Sequence, residues 1–124
     1  MELNQITVSV TDIPRSIEFY MLLGLELIVK SEHYARFLCP KGNATFSIHL
    51  ENELAELNGT TVYFETSDLD NEYQRLTKAG INFVHPPIDQ SWLWREATLA
   101  DPDGNKIKIY YAGKNRINPP WRIQ

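Results

Sequence analysis

ADPDGNKIKIYY, residues 100–111, combines a tight turn with the strand that follows it. Proline presets φ at the second position of a turn, and the Asp and Gly after it supply a side-chain hydrogen bond and a permissive backbone. The strand then alternates between an apolar face and a face with two lysines and a tyrosine. The apolar face carries Ile107, Ile109 and Tyr111, and the other face carries Lys106, Lys108 and Tyr110. The function depends on whether the lysine face lines a ligand site or faces solvent.

The composition predicts one globular domain that works without nucleic acid or a membrane. The chain has 124 residues, of which 43% are hydrophobic, and its net charge is −4. Nucleic-acid binding favours a basic surface, and a membrane helix needs about 20 apolar residues in a row. The single cysteine, Cys39, excludes an internal disulfide, and residues 1–4 lack the pattern of a secretory signal. We therefore expect a cytoplasmic protein.

The first half of the chain indicates a strand, a helix and three further strands. Residues 5–10 alternate between apolar and polar side chains, as a half-buried strand does. Thr11 and Asp12 offer a helix cap, Pro14 fits the first turn, and Gly24 closes the helix. The helix stripe is Ile13, Ile17 and Tyr20, and the three strands are predicted at 25–31, 34–40 and 44–50. The predicted order is βαβββ.

The second half repeats the first at an offset of 56 residues. The offset carries strand, cap, helix stripe and terminating glycine together, which a chance match would not do. The matched pairs are Val8 with Phe64, Thr11 with Ser67, Asp12 with Asp68, Ile13 with Leu69, Ile17 with Tyr73, Tyr20 with Leu76 and Gly24 with Gly80. The later strands are predicted at 82–84, 92–100 and 105–111. The offset reaches 61 where Ser47 matches Lys108, so extra residues are expected around 85–91.

We expect an α+β fold of two βαβββ modules whose curved mixed sheet surrounds a cleft. The single domain 1–124 divides into module one at 1–50, a linker at 51–58, module two at 59–111 and a tail at 112–124. One helix covers only one face of each sheet, so the opposite faces line the cleft if the sheets curl toward each other. The helix faces carry Ile6, Val8, Val62, Phe64, Ile107 and Ile109. The cleft faces carry Gln5, Thr7, Ser9, Ser47, His49, Thr61, Tyr63, Glu65, Trp92, Trp94, Glu96, Lys106, Lys108 and Tyr110.

Two motifs, in this order, carry a resemblance to a known superfamily. They are TDIPRSIEFY at 11–20 with LLGL at 22–25, and DPDGNKI at 101–107 with WRE at 94–96 before it. The chain resembles the vicinal-oxygen-chelate superfamily, which includes glyoxalase I, extradiol dioxygenases and bleomycin-resistance proteins. The resemblance implies a glyoxalase/bleomycin-resistance-like fold over residues 3–111, and it leaves the activity open.

The resemblance implies one divalent metal, held in the superfamily's enzymes by the first and last strands of each half. Transferred to this chain, the ligand positions fall on Gln5, Ser47, Thr61 and Lys108. Ser and Thr hydroxyls are poor ligands for a divalent ion, and Lys108 places a cation where the metal would lie. Two unit charges about 4 Å apart repel by about 4 kcal/mol at an effective dielectric of about 20. We predict no metal at this position, no cofactor, and no metal-dependent glyoxalase of the usual kind.

An alternative metal site follows if the strand that ends near His49 is aligned two residues further along. The shift keeps the same face of the sheet, and His49 then replaces Ser47. A pair of Gln5 and His49 with Glu65 or Glu96 would make a different set of ligands. We expect a bound divalent metal only in this alternative.

Three functions remain open. The first is a metal-free receptor for an aromatic or anionic small molecule, with binding residues Gln5, His49, Thr61, Tyr63, Trp92, Trp94, Glu96, Lys108 and Tyr110. The second is a lyase, isomerase or dioxygenase that has an unorthodox metal site or uses Lys108 as the catalytic group. The third is an interaction domain without a ligand. We also expect a homodimer, because related proteins pair two chains and residues 119–121, Pro-Pro-Trp, offer an aromatic anchor.

Overall fold

The structure is a computed structural model that describes residues 2–52 and 60–123. The predicted linker at 51–58 therefore lies mostly outside the described residues. Contacts divide the chain into two units: Met1–Gly59 with Asp101–Asn105, and Thr60–Ala100 with Lys106–Gln124. Each unit has one α-helix and one four-stranded sheet.

The first unit has its strands in a non-sequential order. It contains β1 (Gln5–Val10), α1 (Ile13–Leu23), β2 (Glu26–Lys30), β3 (Tyr34–Leu38) and β4 (Thr45–Leu50). The sheet order is β1-β4-β3-β2, with β1 parallel to β4 and the other neighbours antiparallel. Because β1 and β2 are the two edges, α1 carries the chain from one edge of the sheet to the other.

The second unit repeats this arrangement. It contains β5 (Thr61–Glu65), α2 (Leu69–Lys78), β6 (Phe83–Asp89), β7 (Arg95–Ala100) and β8 (Lys106–Tyr111). Its order is β5-β8-β7-β6, and the parallel pair is again the first strand with the last. The predicted α+β fold of two βαβββ modules is confirmed.

Strand register confirms the offsets found in the sequence. In the first sheet Thr7 pairs with Ser47, and in the second Tyr63 pairs with Lys108. Tyr63 follows Thr7 by 56 residues, and Lys108 follows Ser47 by 61. Ser47 and Lys108 therefore hold equivalent positions in their sheets, as the sequence predicted.

The prediction was wrong about where β6 ends and where β7 begins, the two strand ends that flank one turn. The strand expected at 82–84 is β6 and runs to Asp89, so the extra residues lengthen a strand instead of forming a loop. Pro86 and Pro87 lack the N–H that a central strand donates, but β6 is an edge strand and its register shifts there. The strand expected from Trp92 begins at Arg95, because residues 90–94 form a turn in which the N–H of Gln90 donates to the carbonyl of Trp94.

The two helices begin differently although the repeat matches their caps. The carboxylate of Asp12 accepts a hydrogen bond from the backbone N–H of Arg15 at 3.0 Å, as a helix cap does. Asp68 stands at the same position before α2 but accepts from the side chain of Asn71 instead of a backbone N–H. Gly24 ends α1 at φ +107°, a conformation that favours glycine. Within residues 2–52 and 60–123, neither helix is long and apolar enough to span a membrane.

Each sheet packs its apolar face against its own helix. In the first unit the ring of Tyr20 lies 4.6 Å from that of Phe46 and 5.8 Å from that of Phe37, between ring centres. In the second unit Leu76 on α2 is fully buried with Leu99 and Ile107. The six residues predicted for the helix faces are buried or half-buried except Ile6, which is 36% exposed on the edge strand β1.

The turn of residues 101–105 has a structural role that explains its motif. Tyr20 donates a hydrogen bond from its hydroxyl to the carboxylate of Asp101 at 2.6 Å, and burial together with that charge raises the pKa of Tyr20. The same carboxylate accepts hydrogen bonds from the backbone N–H groups of Asp103 and Asn105. Asp103 in turn forms an ion pair with Arg15 at 3.1 Å. The DPDGN motif therefore fixes a turn and a helix, and does not by itself point to a ligand.

Candidate functional site

The face of the second sheet that α2 does not cover holds most of the predicted site residues. Side chains two residues apart in a strand share a face, and register brings Tyr63 beside Lys108, Lys108 beside Thr98, and Glu96 beside Tyr110. We call this the second-sheet polar face. Its members are Thr61, Tyr63 and Glu65 on β5, Lys106, Lys108 and Tyr110 on β8, and Glu96 and Thr98 on β7, with Trp94 just before β7.

A buried ion pair lies at the centre of this face. The ammonium of Lys108 donates a hydrogen bond to Oε1 of Glu96 at 3.0 Å. The Glu96 side chain is 1% exposed and that of Lys108 is 22% exposed, so solvent reaches the lysine only. Among the described residues, Oε2 of Glu96 has no hydrogen-bond partner. The buried carboxylate therefore depends on Lys108, since an uncompensated charge in that environment is costly.

Three aromatic rings adjoin the ion pair. The rings of Trp94 and Tyr110 stack with centres 4.8 Å apart and planes 27° apart, and Tyr63 meets both rings edge-on. The ammonium of Lys108 lies 5.8 Å from the centre of the Tyr63 ring, within the range of a cation–π contact. Burial, followed by the nearby charge of Glu65, raises the pKa of Tyr110. This aromatic cluster of Tyr63, Trp94 and Tyr110 forms one wall beside a cation.

The indole of Trp94 and the carboxylate of Glu65 both bond to the chain after β8. The indole N–H of Trp94 donates to the carbonyl of Asn115 at 3.4 Å. Oε2 of Glu65 accepts hydrogen bonds from the backbone N–H groups of Ala112 and Gly113 at 2.8 and 2.9 Å. The carboxylate of Glu65 therefore holds the start of the tail.

Two predicted residues of the second half lie outside the aromatic cluster. Trp92 lies in the turn before β7 and is 42% exposed, and it shares no ring contact with a described aromatic residue. Thr61 is half-buried at the start of β5, where it pairs with Lys106. His85 lies in β6 with Nε2 2.9 Å from the hydroxyl of Thr98.

Gln5 and His49 lie on the first sheet, each with a local partner. Oε1 of Gln5 accepts a hydrogen bond from the hydroxyl of Thr45 at 2.8 Å. Nδ1 of the exposed His49 lies 3.1 Å from the carboxylate of Glu51, two residues along the chain. Neither contact requires a ligand.

Two residues of the first sheet belong to a site that the sequence reasoning missed. Tyr34 and Arg36 lie on the polar face of β3, and Nε of Arg36 donates to the hydroxyl of Tyr34 at 2.9 Å. Register places Tyr34 beside His49 and Arg36 beside Ser47. The alternation of YARFL carried the signal for this polar face. Its apolar residues Ala35 and Phe37 are fully buried, which leaves Tyr34 and Arg36 on the opposite face.

The residues at the superfamily's four ligand positions do not fit a divalent metal. On the first sheet Gln5 is exposed and bonded to Thr45, and Ser47 is fully buried with its hydroxyl 2.5 Å from that of Thr7. On the second sheet Thr61 contributes a neutral hydroxyl and Lys108 an ammonium that Glu96 already holds. Divalent ions require several carboxylate, imidazole or thiolate donors. Residues 2–52 and 60–123 contain no group of three or more His, Cys, Asp or Glu placed to hold one.

Comparisons with known proteins agree with this fold. The family model for the Glyoxalase/Bleomycin resistance protein/Dioxygenase superfamily matches residues 2–109. An uncharacterized protein, YraH, from Bacillus subtilis (strain 168) is 29% identical over 125 residues, covering 89% of this chain and 98% of that protein. A trivalent organoarsenical cleaving enzyme from Bacillus sp. (strain MD1) is 28% identical over 134 residues, covering 97% of this chain and 81% of that enzyme.

Solved structures share the architecture at lower identity. A glyoxalase/bleomycin resistance protein/dioxygenase from Nocardioides has a TM-score of 0.78 and 23% identity, over 100% of this chain and 90% of that chain. A bleomycin-binding protein complexed with bleomycin has a TM-score of 0.74 and 18% identity, over 90% of this chain and 98% of that chain. At these identities the similarity shows the fold alone.

Proposed function

We propose that this chain, which belongs to the Glyoxalase/Bleomycin resistance protein/Dioxygenase superfamily, binds a planar aromatic small molecule that carries an acidic group. The observation that carries the proposal is the aromatic cluster beside the Lys108–Glu96 pair. Small-molecule sites combine apolar and aromatic walls with a few polar groups that fix orientation. The second-sheet polar face has both parts.

The aromatic cluster offers a ligand a surface that is already supported. Tyr110 is 5% exposed and stacks on Trp94, so it holds that indole from the buried side. Tyr63 is 44% exposed, and its ring is the accessible part of the cluster. Stacked and edge-on ring contacts are worth about 0.5–1.5 kcal/mol beyond the area they bury. A planar aromatic ligand therefore gains most from the exposed face of Tyr63 and the adjoining edge of Trp94.

Lys108 gives the face its preference for an acidic ligand. Its ammonium has three donors and is partly open to solvent, and Glu96 accepts a hydrogen bond from one of them. A carboxylate or enolate oxygen that approaches Lys108 forms a charge-assisted hydrogen bond while the Glu96 contact is kept. No metal is required for this mode of binding.

An enzyme is the second candidate, and the same ion pair favours it. An ammonium held by a buried carboxylate is a proton donor and an electrostatic stabiliser, so Lys108 suits either role in a lyase or isomerase. The reaction named for the organoarsenical cleaving enzyme is less well supported here. Trivalent arsenic is a soft centre that favours thiolates. This chain has one cysteine, and burial raises the pKa of the Cys39 thiol, which disfavours its thiolate.

The test follows the indole N–H signal of Trp94 by proton NMR during titration with naphthoate and naphthamide. The chain has three tryptophans, and the Trp94→Leu variant assigns the indole signal of interest. We expect naphthoate to shift the Trp94 signal to saturation, with or without chelator. Naphthamide lacks the charge, so it should bind about fivefold more weakly.

The matched control is Trp92→Leu, which removes a tryptophan two residues away that is outside the aromatic cluster. In this variant the Trp94 signal should shift with naphthoate as it does in the wild type. A Trp94 signal that moves only after a divalent metal is added would favour the metal-dependent enzyme. If neither compound moves any indole signal, the proposal fails and the ligand-free interaction domain gains support.

A further inference from the structure

Arg36 is a half-buried cation that has no carboxylate partner among residues 2–52 and 60–123. Its Nε donates to the Tyr34 hydroxyl at 2.9 Å, and its guanidinium carbon lies 5.4 Å from the centre of the Tyr34 ring. Within the described residues, the Nη1 and Nη2 nitrogens of Arg36 have no carboxylate within 4 Å. By contrast, an aspartate or glutamate lies within that distance of Arg15, Arg75, Arg95 and Arg116.

The second sheet differs from the first in the partner that it gives to its cation. Tyr34 and Glu96 hold equivalent positions in their sheets. Tyr34 pairs with His49 and Glu96 pairs with Tyr110. His49 and Tyr110 are equivalent because each lies two residues after Ser47 or Lys108, which match each other. Each polar face thus holds one cation near its middle, Arg36 in the first sheet and Lys108 in the second. In the second sheet the buried carboxylate of Glu96 neutralises the cation. In the first sheet the phenol of Tyr34 takes the position of that carboxylate.

Hydroxyl groups lie beside Arg36 in the sheet. The Ser47 side chain, which register places beside Arg36, is fully buried, with its hydroxyl 2.5 Å from that of Thr7. Burial acts to raise the pKa of Tyr34, but the nearby Ser47 hydroxyl, the hydrogen bond from Arg36 and the charge of Arg36 outweigh it, and the pKa is lowered. The surroundings of Tyr34 therefore favour a negative charge.

We propose that Arg36 and Tyr34 form a carboxylate-binding site on the polar face of the first sheet. The guanidinium is a planar fork, and its Nη1–Nη2 end matches the two oxygens of a carboxylate in a bidentate contact. A half-buried charge without a counterion is costly, so an incoming anion removes that cost. The site lies within the first unit and does not depend on the aromatic cluster of the second.

The experiment records the Nε–H signals of the arginines by NMR while sodium acetate replaces sodium chloride at constant ionic strength. The Arg36→Gln variant assigns the Arg36 signal. Arg122 is the matched control, because it also lacks a carboxylate partner among the described residues and its guanidinium donates to Asn118. We expect the Arg36 signal to shift to saturation, and the Arg122 signal to drift in proportion to concentration.

A second variant separates the planar geometry of the guanidinium from its positive charge. A further measurement on the wild-type protein does not depend on any variant folding. Arg36→Lys keeps the positive charge but not the planar fork, so acetate binding should weaken by about tenfold. The absorbance of the phenolate reports the pKa of Tyr34 in the wild-type protein. The Tyr34→Phe variant identifies which part of the absorbance change belongs to Tyr34. Bound acetate should raise the pKa of Tyr34, because a neighbouring anion disfavours the phenolate.

The proposal is overturned if Arg36 and Arg122 respond alike, or if the Tyr34 phenolate titration is the same in acetate and in chloride. It is also overturned if inorganic phosphate, a tetrahedral oxyanion, shifts Arg36 to saturation and acetate does not. None of these outcomes bears on naphthoate binding at Trp94, so the two proposals fail separately.

Discussion

Glu96 and Lys108 are unequal partners. The glutamate side chain is 1% exposed, whereas the lysine side chain is 22% exposed and can turn toward water if its partner is lost. Breaking a buried pair costs about 3–5 kcal/mol when the remaining charge stays buried, and replacing both partners by apolar groups is often neutral. The identity of the removed partner therefore matters more than the loss of the contact.

A double-mutant cycle on this pair tests the asymmetry. Lys108→Met should lower the free energy of unfolding by about 3–5 kcal/mol, because it leaves the buried Glu96 charge uncompensated. Glu96→Leu should cost less, and the double variant should recover most of the loss. The measurement is urea unfolding of all four proteins. Additive losses in the double variant would show that the two side chains act independently.

Tyr20 is the second residue whose polar group is deeply buried. Its hydroxyl donates to the carboxylate of Asp101 at 2.6 Å, and that carboxylate also orders the turn of residues 101–105. The raised pKa of Tyr20 means that its phenol stabilises the fold fully below its unfolded value of 10.0. The stabilisation is lost as the pH rises above that value.

Replacing Tyr20 by Phe should lower the free energy of unfolding by about 1.5–3 kcal/mol, since the bond removed has a charged acceptor. The difference from wild type should shrink above about pH 10, where unfolded tyrosine ionises. Tyr111→Phe is the control, because Tyr111 is 45% exposed and its loss should be near zero. A Tyr20→Phe variant as stable as this control would contradict the role given to the Tyr20–Asp101 bond.

At the scale of elements, local signals predicted some features and missed others. Asp12 and Gly24 bounded α1 correctly, because a cap and a left-handed terminator act within one turn of the helix. The extent of β6 was missed because two prolines normally end a strand, and only its edge position makes them tolerable. The partners of Glu65 could not be predicted, because the backbone N–H groups of the tail carry no sequence signature.

The turn between β6 and β7 offers a test at this scale. Leu93 has φ +66°, which is unfavourable for a branched side chain, and it is 48% exposed. Leu93→Gly should therefore be more stable than Leu93→Ala by about 1 kcal/mol, because both lose the same apolar contacts but only glycine removes the strain. Thermal unfolding of both variants measures this difference. A less stable glycine variant would show that the turn is unstrained.

At the scale of the whole molecule, the repeat was the strongest prediction. Matching Ser47 to Lys108 by offset alone identified equivalent positions, and the sheet register agrees. The same comparison would have matched Tyr34 to Glu96 only if the lengths of the β6–β7 hairpin and the next turn had been known. The oligomeric state remains a prediction, and exposed apolar residues of the tail, Ile117, Trp121 and Ile123, support it.

We expect a homodimer in which Trp121 contributes to the interface. Sedimentation at micromolar concentration should give a dimer for the wild type and more monomer for Trp121→Ala. Trp92→Ala is the matched control, since Trp92 is exposed to a similar degree but lies far along the chain from the tail. A wild-type protein that sediments as a monomer would contradict the prediction.

We propose that the amine of Lys108, held by Glu96, takes the place of a metal in a small-molecule site. The most direct test is the metal content of the wild-type protein after incubation with Mn²⁺, Fe²⁺ and Zn²⁺ and desalting, measured by plasma mass spectrometry. We expect well under one equivalent of each metal, together with naphthoate binding that chelator does not change. About one equivalent of a bound metal whose removal abolishes naphthoate binding would contradict it.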